Sequence, residues 1–340
     1  MTTDTAIDVT PDAPAAPDAP FGTVFGPSMA LSHFDGTRWS APSVVPADAL
    51  TLHPGTHALH YGSACFEGLK AHRHPDGRVV AFRADRHVER LRQSAARLHL
   101  PVPPSVLVDG LIDSSIDANE AVAPSPPGSL YLRPTLLGTD VTIGSAAAPS
   151  VTAILYVLAC PVGDYLPPRP LTIAVETETP RTTPQFGVVK TGANYAMALA
   201  PIMEARERWG ADQVLFAPGG RLEETGASNV LLLDGRYVLT PELTDAYLHG
   251  VTRDSLLQLA RQRGWLVEER HVTVGECLEW IARPTAELAL SGTAAVVATV
   301  GTLIVDGVAR PVGTQGSAPR TEELRRALSD IQTGRVSFDW

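Results

Sequence analysis

The run from Leu288 to Val305 holds no charged residue, and it sets the first constraint on the fold. Its length reaches the lower limit of a membrane span. Ser291, Gly292, Thr293, Thr299, Gly301 and Thr302 interrupt it, however. A Val, Ala and Thr texture broken by a glycine turn predicts buried strands of a soluble core. Partners for them are abundant. Residues 22–83 are punctuated by Gly and Pro and read as β-rich, with a turn at Pro75-Asp76-Gly77 before a strand over Arg78–Phe82. Tyr131–Leu137 and Val151–Ala159 read as strands, as do Leu171–Val175, Gln213–Phe216, Asn229–Leu233 and Arg236–Leu239. Asp234-Gly235 marks a hairpin between the last two.

Helical periodicity appears between these strands. Asp85 reads as the cap of a helix with Val88, Leu91, Ala95 and Leu98 on one face. Residues 105–119 predict a second helix. Tyr195–Trp209 predicts a third, with Pro201 as a kink. Arg253–Arg263 is stopped by Gly264 and Glu322–Thr333 by Gly334. Strands and helices mix without regular βαβ alternation, so the expected class is α+β, in two domains of mixed structure. The expected organisation is an acidic disordered tail over 1–20, a small domain over 21–160, a proline-rich linker over 161–170 and a larger domain over 171–340.

The formal charge of −10 argues against nucleic acid or an anionic membrane as partner. Cys65, Cys160 and Cys277 are too far apart for a disulfide framework or a structural zinc site, which fits a reducing cytoplasm. No internal repeat and no Gly-rich dinucleotide or P-loop fingerprint is seen, and residues 1–20, without a basic or an apolar stretch, are not expected to act as a signal peptide.

The basic residues carry the sharpest chemical signal. Of 27, only Lys70 and Lys190 are lysine; the rest are arginine. An amine can lose its proton and attack a carbonyl, and a guanidinium cannot. Lys190 follows Val188-Val189 and leads into Thr191-Gly192-Ala193-Asn194-Tyr195. At the apolar end of a strand it would be desolvated and reactive, where the plainer reading is a lysine snorkelling to solvent. Lys70 lacks the apolar approach and reads as solvated.

Other stretches offer matching parts. Glu223-Glu224 precede Thr225-Gly226-Ala227-Ser228-Asn229, where a carboxylate either meets a protonated ring nitrogen or sits in a solvated turn. Gly250-Val251-Thr252-Arg253-Asp254 opens a helix, as a phosphate cradle or with an ordinary Thr cap. Ser291-Gly292-Thr293-Ala294 is an anion-accepting turn or a tight bend. Arg133, within Tyr131-Leu132-Arg133-Pro134, requires an anion, either an internal acid or a substrate carboxylate. Spacing does not separate Arg90 from Arg83, Arg86, Arg92 and Arg97. An amine, a phosphate cradle, a carboxylate and a buried arginine together match pyridoxal phosphate chemistry.

These stretches also carry a resemblance. With His60-Tyr61-Gly62, Phe66-Glu67-Gly68-Leu69-Lys70 and Phe82-Arg83 through Arg90-Leu91, they follow in order, and over roughly residues 25–335 the chain resembles the branched-chain amino acid aminotransferases. These are fold-type IV pyridoxal phosphate enzymes. The resemblance implies a homodimer with the cofactor in the cleft between two domains. It implies transfer of the amino group of a branched or bulky apolar L-amino acid to 2-oxoglutarate. Lys190 would form the internal aldimine and shuttle the proton between Cα and C4′. Glu224 would hold the ring nitrogen protonated and Tyr195 the phenolic oxygen. Arg90, the amides of Val251 and Thr252, and Thr293 would hold the phosphate. Tyr131, Thr293 and the Ala294 amide would bind the substrate carboxylate. Arg133, with Tyr61 and Tyr165, would take the side-chain carboxylate of glutamate. Phe66, Gly68, Tyr61, Tyr165 and Tyr195 would wall the pocket.

The sequence departs from the family in places. Glu224 through Asn229 is closer to D-amino acid aminotransferases and aminodeoxychorismate lyases. Phe186 is bulky, Pro201 interrupts a helix, and Leu290–Val296 lacks the redox cysteines of some members. A D-amino acid aminotransferase, a lyase, or an aminotransferase for an unusual amino acid are the enzymatic alternatives. A cofactor-free binding protein of the same fold is the non-enzymatic one.

Overall fold

The Gly and Pro punctuation of the first third produces short antiparallel strands. The computed structural model describes residues 20–144, 146–164, 169–313 and 317–340. Apart from Pro20, the expected acidic tail lies outside these residues, as does Tyr165. The chain divides into two compact units, Met1–Tyr165 and Leu166–Trp340.

The first unit runs β1 (Ser28–Phe34), β2 (Ser43–Pro46), α1 (His57–Tyr61), β3 (Ala64–Phe66), β4 (Leu69–Arg73), β5 (Val79–Ala81), α2 (Ala84–Arg97), α3 (Ser105–Ala118), β6 (Ser129–Gly138) and β7 (Ala153–Val162). Its sheet has the order β2-β1-β7-β6-β4-β5, with β3 on β6, and every pair is antiparallel. Strand alternation decides what each face does. Leu69, Ala71, Leu130 and Leu132 point to one face. There they join Val88 and Leu91 of α2 and Val108, Leu111 and Ile112 of α3 in one buried cluster. Each such Leu, Ile or Val side chain contributes about 1.5–3 kcal/mol by leaving water. Tyr131, Arg133 and Thr135 therefore point to the opposite face. Asp85 does not cap α2: Arg83 holds the cap position, in the left-handed region at φ 48°, and Asp85 lies in the first turn. There its charge still favours the helix dipole.

The second unit runs β8 (Leu171–Glu176), α4 (Gly192–Trp209), β9 (Gln213–Phe216), β10 (Asn229–Asp234), β11 (Tyr237–Pro241), α5 (Val251–Gln262), β12 (Leu266–Arg270), α6 (Val274–Ile281), β13 (Ala286–Gly292), β14 (Val296–Val305), β15 (Val308–Pro311) and α7 (Pro319–Gln332). The strand order is β12-β11-β10-β13-β14-β8-β9, with β15 on β14. β11–β12, β14–β8 and β8–β9 are parallel, so this sheet is mixed. The uncharged run is the antiparallel pair β13–β14, turning at residues 293–295. Val296 closes that turn at φ 57°, a strained position for a β-branched residue. α4 continues through Pro201 as one helix.

Candidate active site

Within the second unit, Lys190 sits in a loop and not at a strand end, which corrects the sequence expectation. A short 3-10 turn, Pro184–Phe186, leads to it, and Thr191 caps α4 immediately after. Asn194 stitches the two together. Its Nδ2 donates to Phe186 O at 3.0 Å and Val189 O at 2.8 Å, and its Oδ1 accepts from Thr182 Oγ1 at 2.8 Å. Gly187 lets the loop pass flat against its neighbour: a Cβ there would lie 2.0 Å from the Ala246 carbonyl. Lys190 Nζ donates to Tyr195 Oη at 2.8 Å, one helical turn on.

The segment beside Gly187 leads directly to the acid. The Leu248 amide donates to Glu224 Oε1 at 3.0 Å, and Arg181 Nη1 stands 2.7 Å from the same oxygen. Both Glu224 and Arg181 are buried. Arg181 also lies over the Tyr195 ring, 5.6 Å from its centre. Glu223 is half-buried, and burial followed by the charge of Glu224 pushes its acid up to about 7. Asn229 Nδ2 donates to Leu248 O at 2.9 Å, which draws the start of α5 to the same edge. Gly250 caps α5, so Val251 and Thr252 are its first two residues and Thr252 is not a cap. The leading amides of a helix have no acceptor within it and face an anion readily. Asn229 pairs with Ser291, and that pairing brings Thr293 and Ala294 to the same edge of the sheet.

Within the first unit, Tyr131 and Arg133 line a cavity of about 450 Å3 with Phe21, Phe66, Thr135 and Tyr156. Gly68 is required there, since a Cβ would fall 2.0 Å from Tyr131 Oη. Arg133 Nη2 donates to Tyr131 Oη at 2.8 Å, and the guanidinium stands 4.7 Å from the Phe66 ring centre and 5.3 Å from that of Tyr131. Among the described residues no carboxylate pairs with Arg133, so the internal salt bridge is excluded among them. Its Nε is buried without a hydrogen-bond partner. Tyr61 donates to Ile143 O and is not among the residues lining this cavity.

Arg90 is singled out by its partner. Glu67 takes its Nε at 2.6 Å and its Nη2 at 2.8 Å, while His87 Nδ1 lies 2.8 Å from Glu67 Oε2. Burial alone would raise the Glu67 acid, but Arg90 and His87 outweigh it and hold the carboxyl well below its usual range. Lys70 corrects the sequence expectation: it is 7% exposed, and burial lowers its amine to about 8. Arg181, Asn194, Glu67 and His87 are the functional-looking residues that sequence reasoning passed over. Glu67 lies in a quoted motif. Arg181, one arginine of many in a proline-rich loop, carries no spacing signal.

The chain has known relatives in sequence and in fold. The profile of the amino-transferase class IV family matches residues 64–301. A probable branched-chain-amino-acid aminotransferase of Streptomyces coelicolor is 36% identical over 327 residues, covering 93% of this chain and 90% of that protein. Branched-chain-amino-acid transaminase 1 of Bacillus subtilis is 35% identical over 332 residues, covering 94% and 92%. A solved branched-chain amino acid aminotransferase from T.th., with pyridoxamine 5′-phosphate, has a TM-score of 0.75 at 26% identity, covering 91% of this chain and 95% of that one.

Proposed function

Because the chain belongs to the class IV aminotransferases, in the branched-chain amino acid aminotransferase family, we propose that it moves the amino group of a branched or bulky apolar L-amino acid to 2-oxoglutarate. It is a pyridoxal phosphate-dependent transaminase of the α+β, fold-type IV kind. The residues present fit that cofactor: one amine on a stitched loop, one buried acid and one open helix start lie along a single sheet edge. When bound, pyridoxal 5′-phosphate supplies a carbonyl to accept the amino group and a ring that draws electrons from the substrate Cα.

The chain's own groups do the rest. Lys190 Nζ provides covalent attachment and carries the proton at the substrate Cα, oriented by its hydrogen bond to Tyr195 Oη. Glu224 faces the ring nitrogen. The amides of Val251 and Thr252, with Thr293, hold the phosphate. Thr293 and the Ala294 amide receive the substrate carboxylate. Phe66 and Gly68 shape the side-chain pocket beside Tyr131, and Arg133 answers a side-chain carboxylate. The carrying observation for substrate choice is Arg133, a cation resting on Phe66 and Tyr131 with no acid paired to it among the described residues. Such a pocket admits an apolar chain and still meets glutamate. We further propose a cytoplasmic homodimer whose partners are small amino and 2-oxo acids. Three free, buried cysteines suit a reducing compartment, and no helix among the described residues is long and apolar enough to cross a membrane.

Two measurements test the reading. Lys190→Arg keeps the charge but cannot form the carbon–nitrogen double bond, so borohydride should no longer fix the cofactor covalently to the chain, and turnover should be lost. Wild-type turnover in that variant would refute the assignment. Arg133→Met should slow the single-turnover reaction with glutamate by roughly two to three powers of ten, from a contact of about 2–5 kcal/mol, and change leucine far less. Equal losses on both would make Arg133 a structural residue.

A further inference from the structure

Arg181 has no role in the scheme above, yet it touches three groups of the site. It is 3% exposed. Its Nη1 stands 2.7 Å from Glu224 Oε1, while Nε and Nη2 both donate to Gly226 O at 3.2 Å. Its guanidinium also lies over the ring of Tyr195, the residue that accepts the Lys190 hydrogen bond. The cation is thereby fixed in place before any ligand arrives.

A carboxylate as buried as Glu224, 2% exposed, is costly to keep charged without a cation. The acid of Glu223 beside it adds a competing charge. Arg221 and the Tyr247 phenol are further ionisable groups near this pair. Arg181 is a cation in contact with the carboxylate itself. We propose that Arg181 is a positioning residue that keeps Glu224 an anion facing the cofactor's ring nitrogen, so that their shared proton rests on the ring and not on the acid. This rests on the reading of Glu224 as the ring-nitrogen partner. Without the guanidinium, the neutral acid paired with an unprotonated ring requires no buried charge, and that arrangement wins. Lys190 would then remove the substrate Cα proton more slowly, with substrate binding little affected.

The experiment uses holoenzyme reconstituted with cofactor labelled with 15N in the ring, since the 15N chemical shift separates a protonated from an unprotonated ring nitrogen. Wild type and Arg181→Lys, which retains the charge, should show the protonated form, and Arg181→Met the unprotonated one. The leucine half-reaction of Arg181→Met should slow roughly 10²-fold. In a Glu224→Gln background the same substitution should cost less than about twofold, because the residue it acts through is gone. A protonated ring in Arg181→Met, or an undiminished loss in the Glu224→Gln background, overturns the proposal. If Arg181→Met apoenzyme gives no cooperative melt, Arg181→Lys decides alone: it cuts the fork to Gly226 but keeps the charge, so a lost ring proton refutes and a retained one supports. An unprotonated ring in wild type, or a Glu224→Gln protein identical to wild type, removes the Glu224 assignment beneath the proposal and is distinguishable from its own failure.

Discussion

Glu223 and Glu224 are neighbours in sequence with opposite surroundings. Glu224 faces a buried arginine, while Glu223 is half-buried beside a like charge that helps push its acid to about 7. A raised acid stabilises the fold fully below its unfolded value, near 4.5, and that contribution disappears as pH rises through about 7. Glu223→Gln should therefore melt higher than wild type at pH 8 and no higher at pH 4, measured on apoenzyme. An equal gain at both pH values would mean that charge is not the cause. Lys70 makes a second residue-level case. In Leu69-Lys70-Ala71-His72-Arg73 the alternation reads as one apolar and one solvated face. Both Lys70 and His72 are nonetheless buried, because covering a face is a tertiary event that local alternation does not encode. Lys70→Arg should thus destabilise the apoenzyme by roughly 1–3 kcal/mol through overpacking, where a solvated lysine would give no change in the melt. The scarcity of lysine drew attention to Lys190, but it could not show which arginines were paired.

At the scale of elements, the loop before α4 makes the most exacting demand. Gly187→Ala sets a methyl against the Ala246 carbonyl, backbone against backbone, so the loop must move and take Lys190 with it. Loss of most turnover, with a stability cost of about 1–3 kcal/mol, is expected from steady-state rates and melting curves. Unchanged kinetics would show that the loop has room. Much at this scale was legible in advance. The helix over 105–118, the hairpin at Asp234-Gly235 and the stop at Gly264 follow from periodicity and turn chemistry. The Lys190 loop was not, because Val188-Val189 is apolar enough for a strand, while the Asn194 side chain and tight backbone bonds such as Val189 N to Phe186 O hold it otherwise. The pairing of β8 with β14 joins segments more than a hundred residues apart, and no local pattern announces it.

At the scale of the whole molecule, positive charge is almost wholly guanidinium, and the two amines both sit inside their units: Lys70 on β4 and Lys190 before α4. Preparative chemistry inherits this arrangement. Side-chain coupling through succinimidyl esters or aldehydes, which on most proteins decorates the outside harmlessly, here meets no outlying lysine. The half-buried Lys190 should react first, so acylation and inactivation should advance together, and added pyridoxal phosphate should slow both. Mass spectrometry of peptides cut at arginine would follow the modification site by site; full activity with Lys190 acylated would disprove the link. Attachment of this protein to a support or a dye is better directed away from its lysines.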